Sequence, residues 1–332
     1  MAITYHAGRR IQGTNDPSAN YGTKSIDGSY TVLQFTESGV FHPTSAFNVE
    51  YLVVGGGGSG AVNNGGGGAG GYRTSTGFGV TAQSYSITVG AGGIGSGYTA
   101  YRGNSGSDSV FSTITSTGGG GGGGENSGQA IGGNGGSGGG GGYGVGIAGG
   151  ISSPVTSPVQ GYAGGTSGNN QIGGGGGGSS VVGSNAVGNT AGSGGNGTAN
   201  SISGSSVTYA AGGGGGDLTS GASGGSGGIG GTGAGNNGTG TAGDTNTGSG
   251  GGGSAGGSGN SGNGGSGIVI LRFLTSGGVF HPSTSQVGSR FEETDTRKMY
   301  HKDDIDWKEE NDGNIPNFRS ASWYEQLSGE TP

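Results

Sequence analysis

Seven uninterrupted runs of glycine, at 55–58, 65–68, 118–124, 138–142, 173–178, 212–216 and 250–253, limit what this chain can fold into more than any other feature. Glycine lacks a Cβ, and fixing a residue's backbone costs ~1–2 kcal/mol, with glycine at the upper end. It can be ordered in such runs as an extended threefold helix that rises ~3.1 Å per residue and has no internal hydrogen bonds. The amides and carbonyls of that helix point outward and must find partners on other segments. Neighbouring glycine helices can approach closely enough to bond laterally as a polyglycine II bundle, whereas any inward Cβ would hold them apart. The near-purity of the runs follows from that requirement.

Other glycine-rich architectures fit less well. Between 55 and 267 the chain carries 87 glycines in 213 residues. Collagen would need a strict Gly-X-Y period and abundant proline, but the chain has 7 prolines and its glycines are clustered. A flexible Gly/Ser tether does not need such length, and apolar strand-like pieces would not recur inside it. Charge points the same way. Of the 31 charged residues (12 basic plus 19 acidic), only Arg73, Arg102, Asp108, Glu125, Asp217 and Asp244 fall in this region. A self-solvating disordered tract carries more.

The strand-like pieces are Tyr30–Phe35 (YTVLQF), Phe47–Val54 (FNVEYLVV), Tyr85–Val89 (YSITV), Val110–Thr115 (VFSTIT), Val207–Ala211 (VTYAA) and Ile268–Leu274 (IVILRFL). No stretch has the amphipathic period of a helix, and Gly, Ser, Thr and β-branched residues all disfavour one. An all-β fold is therefore expected. Three zones separate on composition, 1–54, 55–267 and 268–332, and the expected domains are 1–30 as an N-terminal attachment segment, 31–274 as the glycine-rich domain and 275–332 as an acidic C-terminal β-meander. The pentapeptide GVFHP occurs twice, at 39–43 and 278–282, and reads as an edge-strand or turn element stopped by its proline. His42 and His281 could form a joint metal site, but two histidines without a third ligand make a weak one.

Several function classes are disfavoured. The net charge of −7 has no basic cluster behind it, so nucleic-acid binding has no electrostatic footprint. The chain has no cysteine, hence neither disulfide framework nor thiolate metal site. The opening MAITYHAGRR lacks the apolar core of a signal peptide, and no apolar run reaches the ~18 residues of a membrane-spanning helix. These features suggest cytosolic synthesis and release by another route, of which assembly into a virus particle is one. Matches to G-x-G-x-x-G and G-x-S-x-G arise from composition and do not link a strand to a helix. The acids Asp303, Asp304, Asp306, Glu309, Glu310 and Asp312 lack calcium-loop spacing and read as solvated turns. No cofactor and no metal are expected.

The segments FNVEYLVVGGGGSG (47–60), GGGGAGGYR (65–73), YSITVGAGG (85–93), SVFSTITSTGGGGGGG (109–124), YAAGGGGG (209–216) and GGSGIVILRF (264–273) resemble, in this order, the glycine-rich domain of tail-fibre and adhesin proteins of tailed phages, marine ones among them. That resemblance covers 31–274. It implies a jelly-roll-like β-sandwich whose loops are expanded into a polyglycine II bundle. The stretch Phe291–Glu309 resembles a short phage-fibre β-meander through Thr294-Asp295-Thr296, Tyr300, Asp303, Asp304 and Trp307, with Asp-Asp in place of the usual turn glycine.

Tyrosine and arginine amid glycine make rigid contact groups at low entropic cost, as in antibody loops. The places for them are the loops joining glycine helices: Tyr98, Tyr101 and Arg102; Tyr143; and Ile151–Tyr162 (ISSPVTSPVQGY), which ends on the candidate Tyr162. The same groups could equally cap the bundle. The expected protein is a non-enzymatic virion fibre or adhesin. Its partners would be other virion proteins and a host-surface receptor, protein or glycan, without nucleic acid or membrane insertion; a homo-oligomer is compatible with this. A decoration or sheath protein, and a secreted surface-layer or ice-binding protein, are the alternatives. A depolymerase is disfavoured because paired carboxylates are hard to assemble where acids are nearly absent.

Overall fold

The computed structural model describes residues 4–6, 9–11, 22–43, 45–62, 64–95, 97, 102–125, 128–168, 172–217, 225–228, 238–254, 259–275, 290–292, 299–302 and 307–309. The chain divides into two compact units, Met1–Val279 and Phe280–Pro332. Among the described residues there is no α-helix, and every sheet is antiparallel.

The first unit opens on a two-stranded ribbon, β1 (Thr4–His6) with β2 (Arg9–Ile11). Its main body is a two-sheet sandwich. One sheet has five strands: β3 (Thr23–Asp27), β4 (Tyr30–Phe35), β6 (Phe47–Val54), β7 (Tyr72–Val80) and β13 (Ile268–Leu274), in the order β3-β4-β13-β6-β7. The other has four: β5 (Gly39–Phe41), β8 (Tyr85–Thr88), β9 (Ser109–Phe111) and β10 (Ile114–Ser116), in the order β10-β9-β8-β5. Alternate residues of the first sheet, among them Leu33, Phe35, Tyr51, Val53, Val269, Leu271 and Phe273, meet Phe41, Tyr85, Ile87 and Phe111 of the second in one core. Phe111 is at its centre, with ring contacts to Phe41, Tyr51, Phe78 and Tyr85.

The outer face of the five-stranded sheet is also covered. Val32, Leu52, Val54, Ile268 and Ile270 pack beneath Ala69, Ile202, Tyr209 and Ala210. Ile202 and Tyr209 belong to a hairpin of β11 (Thr198–Asn200) and β12 (Val207–Tyr209) and its connecting turn. Burial on both faces accounts for the continuous apolar run of β13, where a one-sided strand would alternate with polar residues.

The glycine runs leave the sandwich from the ends of its strands. The run at 55–58 continues β6, the run at 65–68 descends to β7, and the run at 118–124 continues β10. Their amides bond laterally from run to run: Gly58 N to Gly68 O at 2.8 Å, Gly68 N to Gly120 O at 2.8 Å, Gly140 N to Gly66 O at 2.7 Å, Gly176 N to Gly213 O at 2.9 Å. A Cβ added at glycines 55–58, 65–68, 118–123, 138–142, 173–178 or 212–216 would overlap the backbone of an adjacent segment. Polar demand is thereby met between segments, as it is in a sheet, but with no side-chain layers to space them.

Six strands read from the sequence can be compared. Tyr30–Phe35, Phe47–Val54 and Ile268–Leu274 are strands with those bounds, and β8 and β12 fall inside their expected segments. Val110–Thr115 needs correction. It is not one strand but the hairpin β9–β10, folded at Ser112 and Thr113, with Ser112 at φ 52°. Strands β3, β7 and β11, rich in Thr and Ser, carry too little apolar alternation to be read in advance. The first GVFHP opens on the edge strand β5, with His42 Nδ1 2.9 Å from Ser84 Oγ; the second copy lies outside the described residues.

The second unit contains β14 (Arg290–Glu292), β15 (Met299–Lys302) and β16 (Trp307–Glu309), paired in chain order as a meander. Tyr300 and Trp307 are strand residues, whereas Thr294–Thr296, Asp303 and Asp304 lie outside the described residues.

Candidate functional site

The glycine segments run up from the sandwich and back, so their connections fall at two ends. Among the described residues the hydrogen bonds assign them to one end or the other. Gly71 N donates to Thr117 O beside the sandwich, while Gly65 N donates to Gly123 O at the far end. By the same ladders the connections near 62–64, 124–131, 142–147 and 187–190 belong to the far end. Those at 152–160, 179–183 and 244–248 return beside the sandwich.

This division separates the candidate contact residues. Arg102 precedes Gly103, whose amide donates to Gly122 O; it is half-buried, and its Nε is buried without a hydrogen-bond partner. Tyr143 N donates to Gly124 O at 3.0 Å, and the residue is half-buried. Both stand at the far end. Tyr162 stands at the other end, its amide donating to Gly178 O at 3.1 Å and its side chain 37% exposed. Tyr98 and Tyr101 lie outside the described residues.

The two-proline loop joins glycine segments, as read from the sequence, but at the sandwich end. Gln160, fully buried, fixes it: its Oε1 accepts from Thr117 N at 3.0 Å, its Nε2 donates to Thr117 Oγ1 at 3.2 Å, and its carbonyl accepts from Tyr72 N at 2.8 Å. Sequence reasoning missed what replaces it at the far end. There several connections expose an aliphatic side chain, Ile94 (72%), Ile131 (54%), Val145 (70%) and Val187 (74%), as the sandwich-end connections also do with Val155 (88%) and Val159 (52%). An isolated Ile or Val near a glycine run does not by itself give the signal, since Ile172 and Val62 stand in such places and are buried.

A second feature lies on the outer face of the five-stranded sheet, past the tip of the β11–β12 hairpin. Arg272 on β13 sits opposite Glu50 on β6, with Nε 2.9 Å from the carboxylate, and its Nη1 is 3.4 Å from Asp27 on β3. The guanidinium lies 4.5 Å from the centre of the Tyr30 ring. Beside this trio is a groove of about 280 Å³ lined by Glu50, Thr74, Ser75, Thr76, Asn200, Ser201, Ile202 and Arg272. Asn200 ties the hairpin down, its Nδ2 donating to Tyr72 Oη at 2.7 Å and its Oδ1 accepting from Ile202 N at 2.8 Å. Burial pushes the Tyr72 phenol above its ordinary pKa, the Asn200 bond partly opposing it. Among the described residues no three metal-ligating side chains converge.

A sandwich whose inter-strand connections are drawn out into laterally bonded glycine segments defines a class of non-helical domain. The family model described as a glycine-rich domain matches residues 36–274, and the chain belongs to that family. No curated protein matches it.

Proposed function

We propose that the chain is a virion fibre or adhesin subunit without catalytic activity, whose far-end connections contact a host-cell surface. We take its glycine segments as threefold polyglycine II helices, which would make the support stiff and the tips preorganised. The observation that carries the reading is that the exposed aliphatic side chains Ile94, Ile131, Val145 and Val187 share the far end with Tyr143 and Arg102, whereas those of the two-proline loop, Val155 and Val159, stand beside the sandwich. Exposed apolar groups ringed by polar backbone are what a contact surface needs, and aromatic and Arg anchors add to it. The resemblance of its sequence segments, in their order, to those of phage fibre proteins supports placement in a virion, exposed outside the host, with other virion proteins as partners.

Host adsorption of particles carrying the Val145→Asp, Val187→Asp double variant tests this. Adsorption should fall while incorporation into the particle is unchanged. Deleting 153–159, at the sandwich end, should leave adsorption near normal. Full adsorption by the double variant would overturn the reading.

A further inference from the structure

We infer that the groove beside Arg272 is a binding site for a neutral, hydroxyl-rich glycan. It is remote from the far-end tips and does not depend on them.

The floor is assembled from distant parts of the chain and is rigid before any ligand arrives. Val32, Arg272 and Glu50 are consecutive cross-strand partners on β4, β13 and β6, so the two charged side chains lie on the face that buries Val32. Asp27 joins them from the edge strand β3, and Tyr30 supports the guanidinium from one side. With two carboxylates and a stacked ring around it, Arg272 has little freedom left to lose on binding.

The walls are built with similar care. Between the pairs Val49–Phe78 and Tyr51–Ser75, strand β7 carries one more residue than β6. The extra residue falls at Thr76 and Gly77, and Gly77 has a φ of 75°, which favours glycine. Bulges of this kind re-aim side chains, here at the groove's rim. The opposite wall is the hairpin tip, held by Asn200. Over Asp27 the hairpin closes with Gly204, whose φ of 94° sets the turn.

Charge and chemistry select the ligand. Asp27, Glu50 and Arg272 together carry one net negative charge, which repels anions. Both carboxylates already face the guanidinium, so a metal ion would have to displace it. An apolar ligand would strip water from Glu50 and Arg272 without replacing its hydrogen bonds. A sugar replaces them: its hydroxyls can donate to Glu50 and accept from Arg272, Thr76 and Ser201. The Thr74 hydroxyl, which donates to Tyr51 O at 2.8 Å, keeps lone pairs for a donor. The volume, about 280 Å³, is just under the ~300–1,000 Å³ usual for small-molecule sites, room for about one or two sugar units.

The test uses the purified full chain against immobilised neutral oligosaccharides, with their sulfated and sialylated forms alongside and free methyl hexosides as competitors. At least one neutral glycan should bind, and more tightly than its anionic forms. Thr76→Trp, which fills the groove from the exposed rim of an edge strand, should weaken binding at least about tenfold, the equivalent of losing ~1.4 kcal/mol. Its melting temperature should match wild type. Glu50→Gln should weaken binding several-fold. The proposal fails if no neutral glycan binds, if Thr76→Trp binds as wild type, or if anionic forms bind best. The Val145→Asp, Val187→Asp variant should bind the glycan normally. If that variant loses adsorption while Thr76→Trp keeps it and wild type binds no glycan, the groove proposal falls and the far-end reading stands.

Discussion

The amide of Gly213 donates to the carbonyl of Gly67 at 2.9 Å, joining two glycine runs that are far apart in the chain. Gly67 N in turn donates to Gly251 O at 2.8 Å. A Cβ on Gly67 would strike the Gly58 carbonyl, and one on Gly176 or on Gly250 would strike the carbonyl of Gly67. Five runs therefore converge on one residue. Each amide bonded this way contributes only ~0.5–1.5 kcal/mol net, against a larger backbone entropy, so these segments hold together only as a lattice.

Adding a methyl group inside that lattice should be costly. Gly67→Ala and Gly176→Ala should each destabilise the chain by ~1–3 kcal/mol or more, since backbone and not a pliable side chain must move. At Gly128 a Cβ meets nothing within 4 Å, so Gly128→Ala should be nearly neutral. Thermal melting of the three variants checks this; equal melting temperatures would contradict the packing described.

Hydrogen exchange should separate the runs from their connections. Amides of Gly67, Gly176 and Gly213 should exchange near the global unfolding rate, and those of the far-end turns 143–146 and 187–190 much faster. Uniformly rapid exchange across the runs would mean a tether.

Stability should decline at alkaline pH. The Tyr209 phenol is pushed above its ordinary value of 10.0 by burial first, with the Ser203 hydrogen bond opposing and the nearby Tyr72 phenolate adding to the rise. Tyr72 is raised as well, again by burial first. The folded chain thus holds these protons to higher pH than the unfolded chain does. Their contribution is complete below the unfolded value of about 10 and is lost as pH rises through the folded values. Melting temperatures followed from neutral to strongly alkaline pH should fall above that point. Tyr209→Phe should make the decline shallower; an identical slope would assign it to other groups.

The sandwich core should depend on one ring. Phe111 is fully buried and touches four aromatic neighbours. Phe111→Ala should cost ~3–5 kcal/mol by denaturant unfolding. Val40, on the solvent side of β5, should tolerate alanine with a change within about ±0.5 kcal/mol.

What the sequence determined by itself was local. Tyr30–Phe35, Phe47–Val54 and Ile268–Leu274 carry enough β-branched and aromatic residues to mark them as strands wherever they end up. The glycine runs, nearly free of side chains, announce close backbone approach, because no other requirement keeps Cβ atoms out so consistently. Tertiary structure decided the rest. Strand β7 exists because β6 offers it a ladder, which its Thr, Ser and Gly residues do not signal alone. The two-proline loop lies beside the sandwich because Gln160 bonds Thr117 and Tyr72, contacts invisible in its own composition. Asp27, Glu50 and Arg272 form one site only because β13 inserts between β4 and β6, bringing β3 within reach. Backbone preference acts over a few residues and can be read along the chain. Register between segments separated by whole glycine runs is set by side-chain packing across the sheet, and it exists only once the chain has folded.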